Sequence, residues 1–167
     1  MKLCKAIVFN SNTGFSESYA RMLSDETGIP VFSLKQACHH LSKGDEVFFL
    51  GWVMGSRIMG LAKARKQFNL AGIASVGMIN EEKAIAEIRK ANGIADDYPF
   101  FFLHGGLAIE RLHGIYRLLF KLAVNTIKRT ASTPTDSSME TYKMMTEGAS
   151  FISMKNLRPV ISWISRN

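Results

Sequence analysis

Cysteine is scarce in this chain, with Cys4 and Cys38 the only two. Two thiols cannot build a disulfide framework, and neither sits in a CxxC pair or a Cys/His cluster with metal-ligand spacing, so both read as buried thiols. The GxxxxGK[ST] signature is absent, which excludes a P-loop, and GxGxxG is missing as well. The opening residues, MKLCKAIVFN, place a lysine inside a strand-like run and offer no small-residue cleavage site. They do not read as a signal peptide, and a cytoplasmic location is expected. No repeat, linker or low-complexity stretch marks a second domain. At 167 residues and 47% apolar content, the expectation is one domain over residues 1–167 with enough apolar side chains to fill its core.

Acid is the scarcer charge. Fourteen Asp and Glu stand against 21 Lys and Arg, a net +7, which favours an anionic partner such as phosphate, nucleic acid or a membrane surface. The basic residues do not gather with aromatics into a tract that would follow a nucleic-acid strand, so nucleic acid is the least favoured of the three.

Short apolar runs alternate with helical patterns: KAIVFN then SESYARMLSDETG, IPVFSL then KQACHHLSKG, DEVFFLGW then RIMGLAKARKQFN, LAGIASVGMIN then EEKAIAEIRKANG, and DYPFFFLHGG then a long apolar segment from Leu107. Continuous Val, Ile and Phe, without polar alternation, mark strands buried on both faces, as in a parallel sheet covered by helices. The fold class is α/β. TASTPTDSS, Thr130 to Ser138, reads as a polar loop around Pro134. The last helix is expected to start near Asn156 and to carry Pro159 in its first turn.

After the first strand comes NSNTGFS. In a doubly wound sheet this is the ligand end, where a helix start offers free N–H groups and about half a positive charge. Ser11, Thr13 and Ser16 add hydroxyls and Gly14 permits close approach, which together suit a phosphate monoester. The competing reading is a plain turn in which Ser16 or Ser18 merely caps the helix.

The pattern S-x-T-G-x-[ST], here Ser11-Asn12-Thr13-Gly14-Phe15-Ser16, resembles the FMN phosphate-binding loop of flavodoxins. With FFLHGGLAIERLHGIYRLLFKLA at residues 101 to 123 and the polar loop and closing helix that follow, the resemblance extends over nearly the whole chain. It points to the flavodoxin-domain family that includes menaquinone-dependent protoporphyrinogen dehydrogenase. The resemblance implies a doubly wound five-stranded parallel sheet of order 2-1-3-4-5 with helices on both faces. It also implies FMN in the crevice between the first and third strands, with the flavin ring held by the loops after strands three and four.

In the first of those loops, Gly51 to Gly60, Trp52 offers an aromatic wall and Val53 and Met54 apolar contact. The alternative is that Trp52 is core beneath the loop. Gly51, Gly55 and Gly60 would let the backbone approach the ring, and by analogy Gly55 could change conformation with redox state. In the second, Gly77, Met78, Ile79 and Asn80 would face the pyrimidine edge, although Asn80 could equally cap the next helix. The resemblance thus implies an FMN-dependent oxidoreductase, or else an electron carrier, working with a redox partner protein or a quinone-like small molecule. The family's dehydrogenase has a more aromatic tract after the last strand; AIERLHGIYRLL keeps Arg111, Arg117 and Lys121 but has Ala, Ile, Leu and Gly where rings would stand. The resemblance implies an oxidoreductase of the protoporphyrinogen dehydrogenase type, and this departure leaves open whether a porphyrin is its substrate. A third reading, from another class, is a flavin-free basic interaction module.

Four histidines invite thoughts of metal or acid/base chemistry. His39 and His40 are adjacent, diverge by about 100° on a helix, and cannot readily share a metal. His104, at a strand end beside Gly105-Gly106, is the one worth testing, and His113 reads as surface. From Leu107 to Arg129 a narrow polar stripe of Glu110, Gly114, Arg117, Lys121, Asn125 and Lys128 leaves most of a helix circumference apolar. That surplus must meet the last helix, a second copy in a homodimer, or a membrane inner face, and the charges argue against a span. Finally, Arg57 with Lys63, Arg65 and Lys66, and no acid from Gly51 to Gly60, predicts positive charge near the ring that would stabilise an anionic reduced flavin.

Overall fold

A computed structural model describes residues 4–78, 80–130 and 149–166. Strand β1 is Ala6–Asn10, followed by helix α1 at Phe15–Thr27, then β2 at Val31–Ser33 and α2 at Leu34–His40. Next come β3 at Glu46–Met54, β4 at Arg57–Ile58, α3 at Leu61–Gln67, β5 at Asn69–Gly77 and α4 at Glu82–Ala91. The chain continues through β6 at Phe100–His104, β7 at Gly106–Leu107, a single 3-10 turn at Ile109–Arg111 and α5 at Ile115–Thr130. It ends with β8 at Ala149–Ser150 and α6 at Met154–Arg166.

The apolar runs form the sheet. Its order is β2-β1-β3-β5-β6, all parallel, with β4 added antiparallel to β3. Counting the parallel strands alone, this is the expected 2-1-3-4-5 order of a flavodoxin-like doubly wound fold. Strand alternation sends two sets of side chains to two cores. Ile7, Phe48, Leu50, Ala74 and Val76 pack with Tyr19 and Leu23 of α1 and Leu157 and Val160 of α6. Val8, Val47, Phe49 and Ile73 pack on the other face with Leu34, Leu61 and Ile88 of α2, α3 and α4. Phe48 is fully buried, with the rings of Trp163 and Phe101 centred 5.8 and 6.1 Å away. Truncating such an aromatic costs about 3–5 kcal/mol.

Three expectations need revision. The stretch Gly51 to Gly60 is not a loop but a β-hairpin, Val53 pairing with Ile58 and Met54 with Arg57. Its two-residue turn has Gly55 at φ 60° while Ser56 is not at positive φ, the signature of a type II′ turn. The helix expected from Leu107 starts only at Ile115. Before it, Gly106 and Leu107 pair with Ser150 and Ala149, a partner too distant in sequence for periodicity to reveal. The last helix begins at Met154, two residues before Asn156, the Ser153 hydroxyl accepting from Lys155 N at 3.2 Å. Pro159 consequently lies inside the helix, beyond its first turn. Most of the expected polar loop, residues 131–138, lies outside the described residues.

Candidate functional site

At the carboxyl end of β1 the chain turns into α1 through Ser11-Asn12-Thr13-Gly14. The Ser11 hydroxyl accepts from Gly14 N at 3.1 Å, closing the turn. Gly14 occupies the N-cap position at φ 96°, a left-handed conformation that disfavours any side chain. With glycine there, no side chain caps the helix. Ser18 does not substitute: its hydroxyl donates to Gly14 O at 2.9 Å, in the opposite sense from a cap. Ser16 is fully buried and its Oγ has no partner among the described residues. The start of α1 therefore carries unspent N–H groups and an unspent hydroxyl together, the combination that suits an anion.

A cation faces this loop. The Arg111 Nη1 lies 3.8 Å from where a Cβ on Gly14 would stand, and among the described residues no carboxylate pairs with it. The nearby acid Glu17 is taken up by Arg21 at 2.7 Å. The backbone of His113 donates to Asn12 Oδ1 at 3.4 Å, so the segment after β7 drapes over the loop. A guanidinium beside the positive end of a helix is electrostatically unfavourable unless an anion lies with them.

The other expected site residues divide into two groups. Phe15, Val53 and Gly77 converge: a Cβ on Gly105 would meet Val76 at 2.6 Å, Gly77 O at 3.6 Å and Phe15 Cβ at 3.7 Å, and one on Gly77 would lie 3.6 Å from Val53 Cβ. Met78 joins them, its carbonyl accepting from His104 Nε2 at 2.8 Å, while the His104 ring stacks on Phe151 at 4.1 Å. His104 thus holds backbone in place. Trp52 is half-buried and meets the Tyr116 ring edge-on at 5.0 Å, and Met54 is exposed near the hairpin tip. Asn80 is exposed and does not cap α4, whose N-cap is Glu81. It lines a cleft of about 370 Å³ along the outer edge of β6 with Phe100, Phe102 and Pro159, away from the β1/β3 crevice. Ile79 lies outside the described residues.

The expected glycine roles also resolve by geometry. A Cβ on Gly51 would collide with Ile58 and the Met59 carbonyl of the same hairpin, and one on Gly60, at φ 86°, with Asn10 at 2.7 Å. Both serve packing within the chain; of these three glycines only Gly55 faces open space. An open cleft of about 610 Å³ borders Ser11 on the β2 side, between α1 and α2, where His39 and Arg21 line it.

Two of the four cations expected near the ring, Arg57 and Arg65, are engaged at the end of α4. Arg57 Nη1 donates to Ala91 O at 2.9 Å and Arg65 Nη1 to Asn92 O at 2.7 Å, so both cations cap the carboxyl end of α4, where the helix dipole and unpaired carbonyls attract them. Buried Asn92 pins the hairpin to the same place, accepting from Ile58 N at 3.0 Å and donating to Ser56 O at 2.8 Å. Sequence reasoning singled out neither Asn92 nor the placement of Arg111 and Tyr116. A basic residue following a strand at the ligand end of an α/β sheet was the available signal for Arg111.

No metal-holding group of three or more His, Cys, Asp or Glu occurs among the described residues. His40 instead stacks on Phe32 at 5.3 Å. None of the described helices is long and apolar enough to cross a membrane. Comparison with family models, curated proteins and solved structures returns no match to this chain.

Proposed function

We propose that this chain is an FMN-binding redox protein whose phosphate site is the Ser11–Ser16 loop. The observation that carries the reading is the buried Ser16 hydroxyl, without a partner among the described residues, at the uncapped start of α1, with the Arg111 guanidinium beside Gly14. A phosphate monoester would satisfy the hydroxyl, the first-turn N–H groups and the cation at once. Thr13, half-buried on the same loop, adds a further donor. When bound, FMN supplies hydride or single-electron transfer.

On the ring side, Trp52, Val53 and Met54 of the hairpin and Gly77 and Met78 after β5 are the groups available to wall the isoalloxazine. Their sources are two neighbouring strands of the sheet. Tyr116 limits the room beside Trp52, and His104 keeps the Met78 carbonyl occupied. A quinone-like small molecule or a redox partner protein would exchange electrons there, as an oxidoreductase or as a carrier.

Titration with FMN, riboflavin and inorganic phosphate tests the reading. FMN should bind with quenched fluorescence, riboflavin more weakly by at least tenfold for want of the charged phosphate contacts, and phosphate should compete with FMN. A protein that stays colourless with excess FMN would instead be a flavin-free interaction module.

A further inference from the structure

The helix α5 carries a second, independent feature. Ile115, Leu118, Leu119 and Leu122 fall at the i, i+3, i+4, i+7 spacing of one helix face and are 64, 58, 45 and 55% exposed. Tyr116 and Phe120 are half-buried, and Tyr116 ties the helix to Trp52. Arg117 and Lys121, one turn apart and both exposed, lie on one side of the leucine row, between it and the solvent flank of the helix. The whole helix, IYRLLFKLAVNTIKRT, contains no acidic residue.

We propose that this face of α5 lies in the surface of an anionic membrane. The leucine row would sink into the boundary between headgroups and acyl chains, while the long stems of Arg117 and Lys121 reach back to lipid phosphates. The helix is too polar to span, so it lies in the plane of the surface. Charge decides between this occupant and a second copy of the chain. A twofold dimer packed through the same face would add a second cationic helix with no acid to answer the first, whereas anionic lipid complements both the leucines and the cations. The net charge of +7 acts in the same direction at long range.

Flotation with vesicles of phosphatidylcholine, with and without phosphatidylglycerol, tests the assignment. The protein should rise with phosphatidylglycerol vesicles and partition at least tenfold less onto neutral ones. Arg117→Gln/Lys121→Gln should weaken partitioning by about 25-fold, roughly fivefold per charge, and Leu118→Ser/Leu122→Ser should abolish it. All four positions are exposed, so folding should survive, with circular dichroism as the check. The proposal is overturned if the parent protein stays in the bottom fraction, or if it floats equally with both vesicle types. It is overturned too if sedimentation velocity finds a dimer that the double serine variant disperses.

Discussion

Replacing Ser16 by alanine should move stability and ligand affinity in opposite directions. Among the described residues the Ser16 hydroxyl is buried without a partner, and a hydroxyl left so costs about 1–3 kcal/mol. Alanine removes that cost, sacrifices a single heavy atom of packing and is the better helix former. We expect a gain of about 1 kcal/mol, or about 2–4 °C in Tm for a chain of this size. With FMN the sign reverses. Loss of one charge-assisted hydrogen bond to phosphate costs about 1.5–3 kcal/mol, or about 10- to 150-fold in Kd. Ser75 supplies the control, because its Oγ is also buried and without a partner among the described residues but lies on β5 between Ala74 and Val76, which face α1. Its side chain therefore points to the opposite face of the sheet. Ser75→Ala should stabilise by a similar amount and leave FMN affinity within about twofold. Urea unfolding without flavin and fluorescence titration with FMN measure the two quantities. A Ser16→Ala protein that is less stable without flavin, or that binds FMN as tightly as the parent, would refute the reasoning.

Arg111→Gln should weaken FMN binding by at least tenfold, lessen its salt dependence and leave riboflavin affinity unchanged, since only the phosphate meets the cation; an equal loss for both flavins would count against a phosphate role. Asn156 donates to Tyr19 OH at 2.7 Å and Phe151 O at 2.9 Å, tying α6 to α1 and the chain after β8. Asn156→Ala should therefore cost about 2–3 kcal/mol in urea unfolding, and a loss under about 0.5 kcal/mol would show the network to be slack. Gly60→Ala should destabilise by about 2 kcal/mol or more, because φ is 86° and the new methyl would stand 2.7 Å from Asn10 Cβ; an unchanged melting curve would contradict that geometry. The Lys5 ammonium, and then Ser42 N–H, hold the Asp45 carboxyl below its usual 3.8. Because the folded value is depressed, the contribution is complete above about 3.8 and vanishes as pH falls through the lower folded value. NMR titration of Lys5→Ala should find the Asp45 midpoint moved upward, and an unmoved midpoint would refute the pairing.

The sequence by itself determined the α/β class and the buried parallel strands, because apolar runs and helical spacing are local properties that tertiary packing reinforced; the strand order was expected only from the resemblance and is set by tertiary pairing. It also located the loop between β1 and α1, where Gly14 and the small polar residues state their backbone needs directly. What it left open was whether Ser16 or Ser18 caps α1, and this depended on where each hydroxyl pointed once Gly14 took the left-handed N-cap. Tertiary structure alone decided that β7 pairs with β8, delaying α5 to Ile115, since that pairing spans more than forty residues of sequence. It alone placed Arg111 at Gly14 and drew Arg57 and Arg65 to the end of α4. Long, flexible cations settle wherever a helix end or an unpaired carbonyl offers the best field, and such fields exist only after distant segments have met.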